Sequence, residues 1–232
     1  MQAQDRLVVA LDLSSREAIL SLVDELHGAV GIYKVGLQAF IANGPSIVAE
    51  IVDRGAKVFL DLKIHDIPST AEHAVGEAAA LGASIVTVHA AGGLAMLQAS
   101  SRTAALVLGV TILTSLNKED LRQVGFGSSI RDSAVRLAQL SKQAGLRGVV
   151  ASPREIEAIR SACGDGFVIL TPGIRPTGVD AGDQRRTMTP GEAIARGADY
   201  IVVGRPITGA ANRRAAALEI VEEMDGQRVG GQ

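Results

Sequence analysis

The sequence is poor in several residue types that mark particular classes of protein. Among 232 residues it has one cysteine, no tryptophan, two tyrosines and four phenylalanines, and its net charge is only −2. One cysteine, Cys163, can form neither an internal disulfide nor a cysteine metal cluster. A nucleic-acid surface needs basic charge and stacking rings, and both are scarce here. We therefore expect a small-molecule ligand and no nucleic-acid partner.

Long apolar runs are absent too. No stretch approaches the length that spans a bilayer, and the first six residues lack the pattern of a secretory signal. We expect a cytoplasmic protein with no membrane contact. The length and apolar content suit one large core, so we expect a single domain over residues 1–232.

What the sequence does contain is a repeated alternation of strand-like and helix-like segments. Alternating elements predict an α/β protein with a parallel sheet, and eight units at this length are typical of a closed (β/α)₈ TIM barrel. A doubly wound open sheet is the alternative, but no Gly-x-Gly-x-x-Gly motif follows the first strand. The predicted strands are 7–12, 31–35, 57–63, 84–89, 105–113, 148–151, 167–171 and 199–203.

Local signals indicate where helices begin and end. Ser14, with Glu17 three residues later, predicts a capping box at the start of the first long helix. Gly55, Gly82 and Gly197 each stand two residues before a predicted strand. Glycines there predict helix ends in the left-handed conformation, followed by short loops.

Charged residues collect where the third predicted strand ends. Asp61 and Lys63 are two residues apart, so they are expected on one face of the strand, and Asp66 follows just beyond it. An amine between two carboxylates titrates in a strongly coupled way, and such clusters are typical of active sites. The alternative is a structural network of ion pairs that plugs the end of the barrel.

Two more charges belong to the same end of the predicted barrel. Asp12 closes the first strand and Lys34 lies inside the second, where an unpaired charge would be unfavourable. Since the carboxyl ends of all barrel strands meet at one face, these residues should join Asp61, Lys63 and Asp66 in an array of alternating sign. Neighbouring charges about 4 Å apart would interact by about 4 kcal/mol at an effective dielectric constant near 20.

The loops after strands seven and eight predict a phosphate site. Barrels often bind phosphate there, through glycine N–H groups, a helix N-terminus and an arginine that bridges two oxygens. Arg205, after Gly204, is the expected arginine. Residues 173–189 are too many for a simple connection and predict a lid that closes on the phosphate. A solvated loop remains the alternative for Asp183, Arg185 and Arg186.

The four histidines show no metal-binding spacing. His65 lies in the charged segment but on the opposite parity to Asp61, and His89 ends a strand, where a packing role is the commoner one. We therefore expect no metal ligand and no catalytic residue among His27, His65, His73 and His89.

Five segments together form a recognisable pattern, namely Asp61-x-Lys63-x-x-Asp66-Ile67-Pro68-x-Thr70 and residues 10–12, 34–36, 171–175 and 204–207. Over nearly the whole chain this pattern closely resembles the orotidine 5′-phosphate decarboxylase family. The resemblance implies decarboxylation of orotidine 5′-monophosphate to uridine 5′-monophosphate, the last step of de novo UMP synthesis, with no metal or organic cofactor. It also implies a homodimer.

The resemblance assigns roles residue by residue. Lys63 is implied to protonate C6 of the pyrimidine, beside Asp61 near the departing carboxylate, and Lys34 and Asp66 complete the catalytic array. Asp66 and Thr70 are implied to reach the ribose bound by the neighbouring subunit. Thr114 is implied to contact the pyrimidine. The substrate-binding positions implied in all are Asp12, Lys34, Ile67, Thr70, Thr114, Pro172, Arg175, Gln184, Gly204 and Arg205.

Two other functions remain open at this point. Magnesium-dependent sugar-phosphate decarboxylases and aldolases share the Asp-x-Lys-x-x-Asp element, but they typically place a Glu ligand on strand two. Here that position is Lys34, whose ammonium would repel Mg²⁺. A non-catalytic nucleotide-binding protein is the second alternative, and the completeness of the charged array argues against it.

Overall fold

The computed structural model describes residues 2–127, 129–176 and 188–226. Eight parallel strands close into a barrel in chain order, with β1 beside β8. The predicted barrel is thus confirmed, and the open sheet is excluded. The strands are β1 Leu7–Ala10, β2 Ile32–Gly36, β3 Lys57–Ile64, β4 Ala83–His89, β5 Leu106–Val110, β6 Gly148–Val150, β7 Val168–Thr171 and β8 Tyr200–Val203.

Helices follow the strands and surround the barrel. They are α1 Ala3–Arg6, α2 Arg16–Glu25, α3 Leu37–Asn43, α4 Ser46–Asp53, α5 Pro68–Ala80, α6 Gly93–Ser100, α7 Lys118–Gln123, α8 Ile130–Gln143, α9 Ile156–Cys163, α10 Pro190–Ala195, α11 Arg205–Thr208 and α12 Arg213–Met224. Short 3₁₀ turns at Ala90–Gly92 and Pro153–Glu155 precede α6 and α9. Among the described residues, no helix has the length and apolar character needed to cross a membrane.

The helix-end signals were correct except for one position. Ser15, not Ser14, caps α2, because its hydroxyl accepts from the Ala18 N–H at 3.2 Å. Ser14 instead accepts a hydrogen bond from Gln38, on the helix after β2. The predicted C-terminal glycines are confirmed by positive φ values of 75° at Gly55, 91° at Gly82 and 103° at Gly197.

The barrel core consists of side chains that point inward from alternate strand positions. An outer apolar layer, formed by the other face of the strands, packs against the helices. Following the inward positions toward the carboxyl ends of the strands leads from apolar to polar residues: from Ile32 to Lys34 and from Phe59 to Asp61. The buried inward residues are Val8, Ala10, Ile32, Phe59, Ile85, Leu108, Leu170 and Val202.

Candidate active site

Four of the predicted charges form a continuous row at the carboxyl end of the barrel. Lys34 Nζ lies 3.0 Å from Asp12 Oδ1 and 3.9 Å from Asp61 Oδ2. Lys63 Nζ lies 2.9 Å from the same Asp61 oxygen. The Lys34 and Asp61 side chains are each only 12% exposed, so their attraction is weakly screened by solvent. Signs alternate along the row from Asp12 to Lys63.

The end of β3 is irregular where it carries this chemistry. Leu60 pairs with Val86 and Ile64 with Val88, so β3 advances four residues while β4 advances two. Lys63 lies within this bulge at φ 53°, and it is the one non-glycine residue with positive φ among those described. Asp61 and Lys63 therefore meet within a bulge, whereas we expected a regular strand there.

A glycine leaves room for the pairing of Lys34 with Asp12. A Cβ atom placed on Gly36 would lie 2.8 Å from Lys34 Nζ and 3.4 Å from Asp12 Oδ1. Either the side chain or the ammonium would then have to move. The end of β2 thus supplies one residue of the row and the clearance that its amine needs.

The segment after β3, from Asp66 to Thr70, is exposed. Asp66 is exposed and accepts a hydrogen bond from the Ile67 N–H at 2.7 Å. Within the described ranges, no ion pair joins Asp66 to Lys34 or Lys63. Ile67 is 66% exposed, and Thr70, in the first turn of α5, is exposed as well. The structure thus brings together four of the five predicted charges and leaves Asp66 on the surface.

Two adjoining cavities open beside the charged row, and Lys34, Pro172 and Val202 line both. The first, of about 170 Å³, is mostly apolar and reaches into the barrel past Asp61 and Lys63. The second, of about 270 Å³, is mostly polar. The predicted binding residues Thr114 and Pro172 lie on the first, and Asp12, Pro172, Arg175, Gly204 and Arg205 lie on the second.

Two arginines give the polar cavity a positive end. Arg175 follows β7 and Arg205 opens α11, so the two elements predicted to bind phosphate meet here. Burial lowers the pKa of Arg175, and the charge of Arg205 lowers it further. Two cations that raise each other's electrostatic energy favour an anion between them. Gln184 and the predicted lid residues 177–187 lie outside the described residues.

Two polar residues of the site were not found from the sequence. Ser152 follows β6, is fully buried and lines the apolar cavity. Thr87, also fully buried, lies on β4 and hydrogen-bonds Asp61. Both occupy inward positions, two residues after Val150 and Ile85 respectively. Extending the inward alternation of each strand by one step would have found them.

The histidines stay outside the charged row. The rings of His65 and His89 lie 5.4 Å apart at the mouth of the barrel. Burial lowers the pKa of His89, with smaller contributions from the neighbouring His65 and Lys63. In the part of the chain that the structure describes, no three His, Cys, Asp or Glu side chains are grouped so as to hold a metal ion.

Comparisons with known proteins agree on one family. A sequence profile described as "Orotidine 5'-phosphate decarboxylase / HUMPS family" matches residues 5–220. The chain is 49% identical to an orotidine 5′-phosphate decarboxylase of Moorella thermoacetica over 97% of this chain and 94% of the relative. For one from Syntrophotalea carbinolica the identity is 48%, over 97% and 96%.

A solved structure is similar over the same extent. The crystal structure of orotidine 5′-phosphate decarboxylase from Lactobacillus acidophilus has a TM-score of 0.85 at 34% identity, and the match covers 94% of this chain and 98% of that one. Sequence and fold thus point to the same relatives.

Proposed function

The chain belongs to the orotidine 5′-phosphate decarboxylase / HUMPS family and is a carboxy-lyase, and on this premise we propose how its site decarboxylates orotidine 5′-monophosphate. The product is uridine 5′-monophosphate, and no metal or organic cofactor takes part. One observation carries the proposal: the row of Asp12, Lys34, Asp61 and Lys63 runs between an apolar cavity and a cationic one. A nucleotide has the matching parts, an apolar base and an anionic phosphate.

The substrate spans the two cavities. Its phosphate binds between Arg175 and Arg205, beside the backbone of Gly204, where two cations favour an anion. By family resemblance Gln184 adds a contact to the phosphate. Asp12 and Lys34, at the junction of the cavities, bind the ribose.

The pyrimidine enters the apolar cavity. Thr114, Ser152 and Pro172 line it, and the two hydroxyl groups can exchange hydrogen bonds with the polar edge of the ring. Lys63 and Asp61 lie on the same wall. In this orientation C6 of the ring and its carboxylate face the charged row.

Charge stabilisation at C6 drives the reaction. When the bond from C6 to the carboxylate breaks, CO₂ leaves and the electron pair remains on C6, in an orbital orthogonal to the π system of the ring. Resonance therefore stabilises it poorly. The Lys63 ammonium, fixed beside this carbon, stabilises the developing charge and then gives a proton to C6. Asp61 holds that ammonium at 2.9 Å.

Binding energy from the phosphate supports catalysis at a distance. The phosphate is remote from C6, so its contacts with Arg175 and Arg205 do not take part in the chemical step. They can instead favour closure of the predicted lid, residues 173–189, which would exclude water from the site. Exclusion of water strengthens the attraction between Lys63 and the developing charge. In this proposal the polar cavity thus supplies binding energy, and the chemical step takes place in the apolar cavity.

The active unit is a homodimer in this proposal, and the chain contributes one barrel domain working in the cytoplasm. Asp66 and Thr70 are exposed at the mouth of the barrel and do not join the row of their own chain. They complete the neighbouring subunit's site at the ribose, and Ile67 also binds substrate. Exposed apolar residues near this end, Leu37 and Ile41, at 52% and 76% exposure, suit a covered surface.

A magnesium-dependent sugar-phosphate decarboxylase or aldolase of the same superfamily is the rival. Lys34 Nζ lies 3.9 Å from Asp61 Oδ2, so an ammonium occupies the position beside the carboxylate where a second oxygen ligand would be needed. This arrangement favours the cofactor-free reaction. Whether turnover depends on a metal ion therefore distinguishes the two functions.

Turnover of orotidine 5′-monophosphate by the purified chain tests the proposal. Loss of orotate absorbance and formation of uridine 5′-monophosphate are expected, with the same rate after EDTA treatment. Lys63→Ala should lower turnover by at least about a hundredfold, because general acid catalysis and charge stabilisation are both lost, while binding of uridine 5′-monophosphate remains.

Lys57→Ala is the matched control, because Lys57 is exposed at the opposite end of the same strand. Its turnover should equal that of the unmodified chain. Strong inhibition by EDTA would favour the magnesium-dependent rival. Binding of uridine 5′-monophosphate without any turnover of the substrate would favour a non-catalytic nucleotide-binding protein.

A further inference from the structure

We infer that Thr87 is a positioning residue of this site, which orients the Asp61 carboxylate and the backbone of Lys63 through one hydroxyl group. The inference rests on the proposed decarboxylation. Thr87 lies outside the two cavities and so is not expected to touch the substrate. Its effect on the reaction passes through Asp61 and Lys63.

The hydroxyl of Thr87 joins two points of β3 from the neighbouring strand. Thr87 Oγ1 donates to Asp61 Oδ1 at 3.0 Å, and it accepts from the Lys63 N–H at 3.0 Å. An ionised carboxylate can only accept, so the hydroxyl proton must point to Asp61 and a lone pair to Lys63. Because Thr87 is fully buried, no solvent competes for either bond.

The carboxylate of Asp61 is consequently held at both oxygens. Oδ1 accepts from Thr87, while Oδ2 accepts from Lys63 Nζ at 2.9 Å and lies 3.9 Å from Lys34 Nζ. Loss of the first bond would free the carboxylate to rotate about its χ2 torsion. Rotation would change the direction in which Asp61 holds the Lys63 ammonium.

The backbone of Lys63 needs this support for a separate reason. Its φ of 53° lies in the left-handed region, which is unfavourable for a residue with a side chain and persists only where surroundings hold it. In the bulge, the Lys63 N–H bonds a side chain, Thr87, of the adjacent strand. The same hydroxyl therefore stabilises the bulge that carries the catalytic amine.

An alternative explanation for a threonine at position 87 is that a β-branched residue packs well in a strand, whatever its hydroxyl does. Thr87→Val separates the two, because valine keeps the shape and branching and removes the hydroxyl. Thr87→Ser keeps the hydroxyl and removes the methyl group. Thr111→Val is the matched control, since Thr111 is also buried, just past the neighbouring strand β5, and among the described residues its hydroxyl bonds only the Val150 carbonyl, at 3.0 Å.

The measurements are single-turnover rates with enzyme in excess, and dissociation constants for uridine 5′-monophosphate. Thr87→Val should slow decarboxylation by about ten- to a hundredfold, the cost of a catalytic group displaced by a fraction of an ångström to 1 Å. Its affinity for uridine 5′-monophosphate should stay within about twofold, because Thr87 lines neither cavity. Thr87→Ser and Thr111→Val should both react within about threefold of the unmodified rate.

Several results would overturn the inference. One is a Thr87→Val rate within twofold of the unmodified chain, and another is a Thr87→Ser rate as low as that of Thr87→Val. Equal slowing by Thr111→Val would indicate general loosening of the barrel. If Thr87→Val does not fold, the comparison of Thr87→Ala with Thr87→Ser carries the test, with the same rescue expected from the serine hydroxyl. Absence of turnover in the unmodified chain would instead refute the proposed function.

Discussion

Lys63, the proton donor in the proposed mechanism, has a backbone conformation that few lysines adopt. Its φ of 53°, its hydrogen bond to Thr87 and its ion pair with Asp61 together place Nζ at the wall of the apolar cavity. Side-chain flexibility would otherwise let a long amine sample many positions. At the scale of the residue, the proposed catalysis therefore depends on how firmly the Lys63 amine is held.

His89, at the end of β4, gives a prediction for stability. Its pKa is lowered in the folded chain, chiefly by burial, so the unfolded chain binds the proton more readily. Stability is therefore lost as pH falls below about 6.5, the ordinary value for histidine. Between pH 7.5 and pH 5.5, the free energy of unfolding in urea should fall more for the unmodified chain than for His89→Gln.

His73→Gln is the control for that measurement, because it removes an exposed histidine on α5. Its loss of stability over the same pH interval should follow that of the unmodified chain. An equal pH dependence in His89→Gln and in the unmodified chain would contradict the assignment of this change to His89.

At the scale of the element, β3 is the most specialised strand. The bulge between Leu60 and Ile64 interrupts its pairing with β4 and brings Asp61 and Lys63 together. The sequence predicted the correct pair but from regular alternation, which does not hold through a bulge. A bulge depends on the partner strand, here on Thr87, and one strand's own pattern does not reveal it.

Close packing between elements gives a second prediction. Gly31 precedes β2, and a Cβ there would lie 2.6 Å from Asp5 Cα and 2.7 Å from the Gln4 carbonyl oxygen, both backbone atoms of α1. Gly31→Ala must therefore displace that helix, and we expect it to lower the free energy of unfolding by about 1–3 kcal/mol. Chemical denaturation measures the difference.

Gly76→Ala should have the opposite effect. Gly76 lies within α5, where an added Cβ meets nothing within 4 Å. Replacing a glycine in a helix interior by alanine should raise the free energy of unfolding by about 0.5–1 kcal/mol. If Gly31→Ala were as stable as the unmodified chain, α1 would not pack closely against the barrel in solution.

At the scale of the whole molecule, the main proposal is that each active site is built from residues of two subunits. In this proposal Asp61 and Lys63 serve the site at their own barrel mouth, whereas Asp66, only three residues after Lys63, is exposed. One short segment would then carry both the chemistry and the reason to dimerise. Isologous pairing of two chains makes both sites depend on both subunits.

Mixed dimers test this division. Lys63→Ala and Asp66→Ala chains should each be inactive alone, but a hybrid dimer would hold one site with both native residues. With random exchange of subunits, half of the dimers are hybrids with one working site of two, so about a quarter of the unmodified activity should return. Turnover is measured after mixing, with exchange verified by differently tagged chains.

A mixture of Lys63→Ala with Asp61→Ala is the matched control. These two residues serve the same chain, so every hybrid would have two defective sites and no activity should return. Failure of the Lys63→Ala and Asp66→Ala mixture to recover, once exchange is verified, would contradict a shared site.

Sequence patterns alone predict the barrel, the approximate strand positions and the four residues of the charged row, together with Asp66. These follow from short-range physics: apolar alternation along each strand, left-handed glycines such as Gly55 at helix ends, and charges such as Lys34 that need partners in an apolar run. Even the error at Ser14 was of one residue, because two adjacent serines offer the same cap.

How the row is held, and which of the five predicted charges it leaves out, depend on contacts between distant parts of the chain. The hydroxyl of Thr87 reaches Asp61 from 26 residues away, and Gly36 clears space for Lys34. The exposure of Asp66 likewise depends on the course of the chain beyond the bulge. Such relations depend on the register between strands distant in sequence, and the pattern of a single strand carries no information about that register.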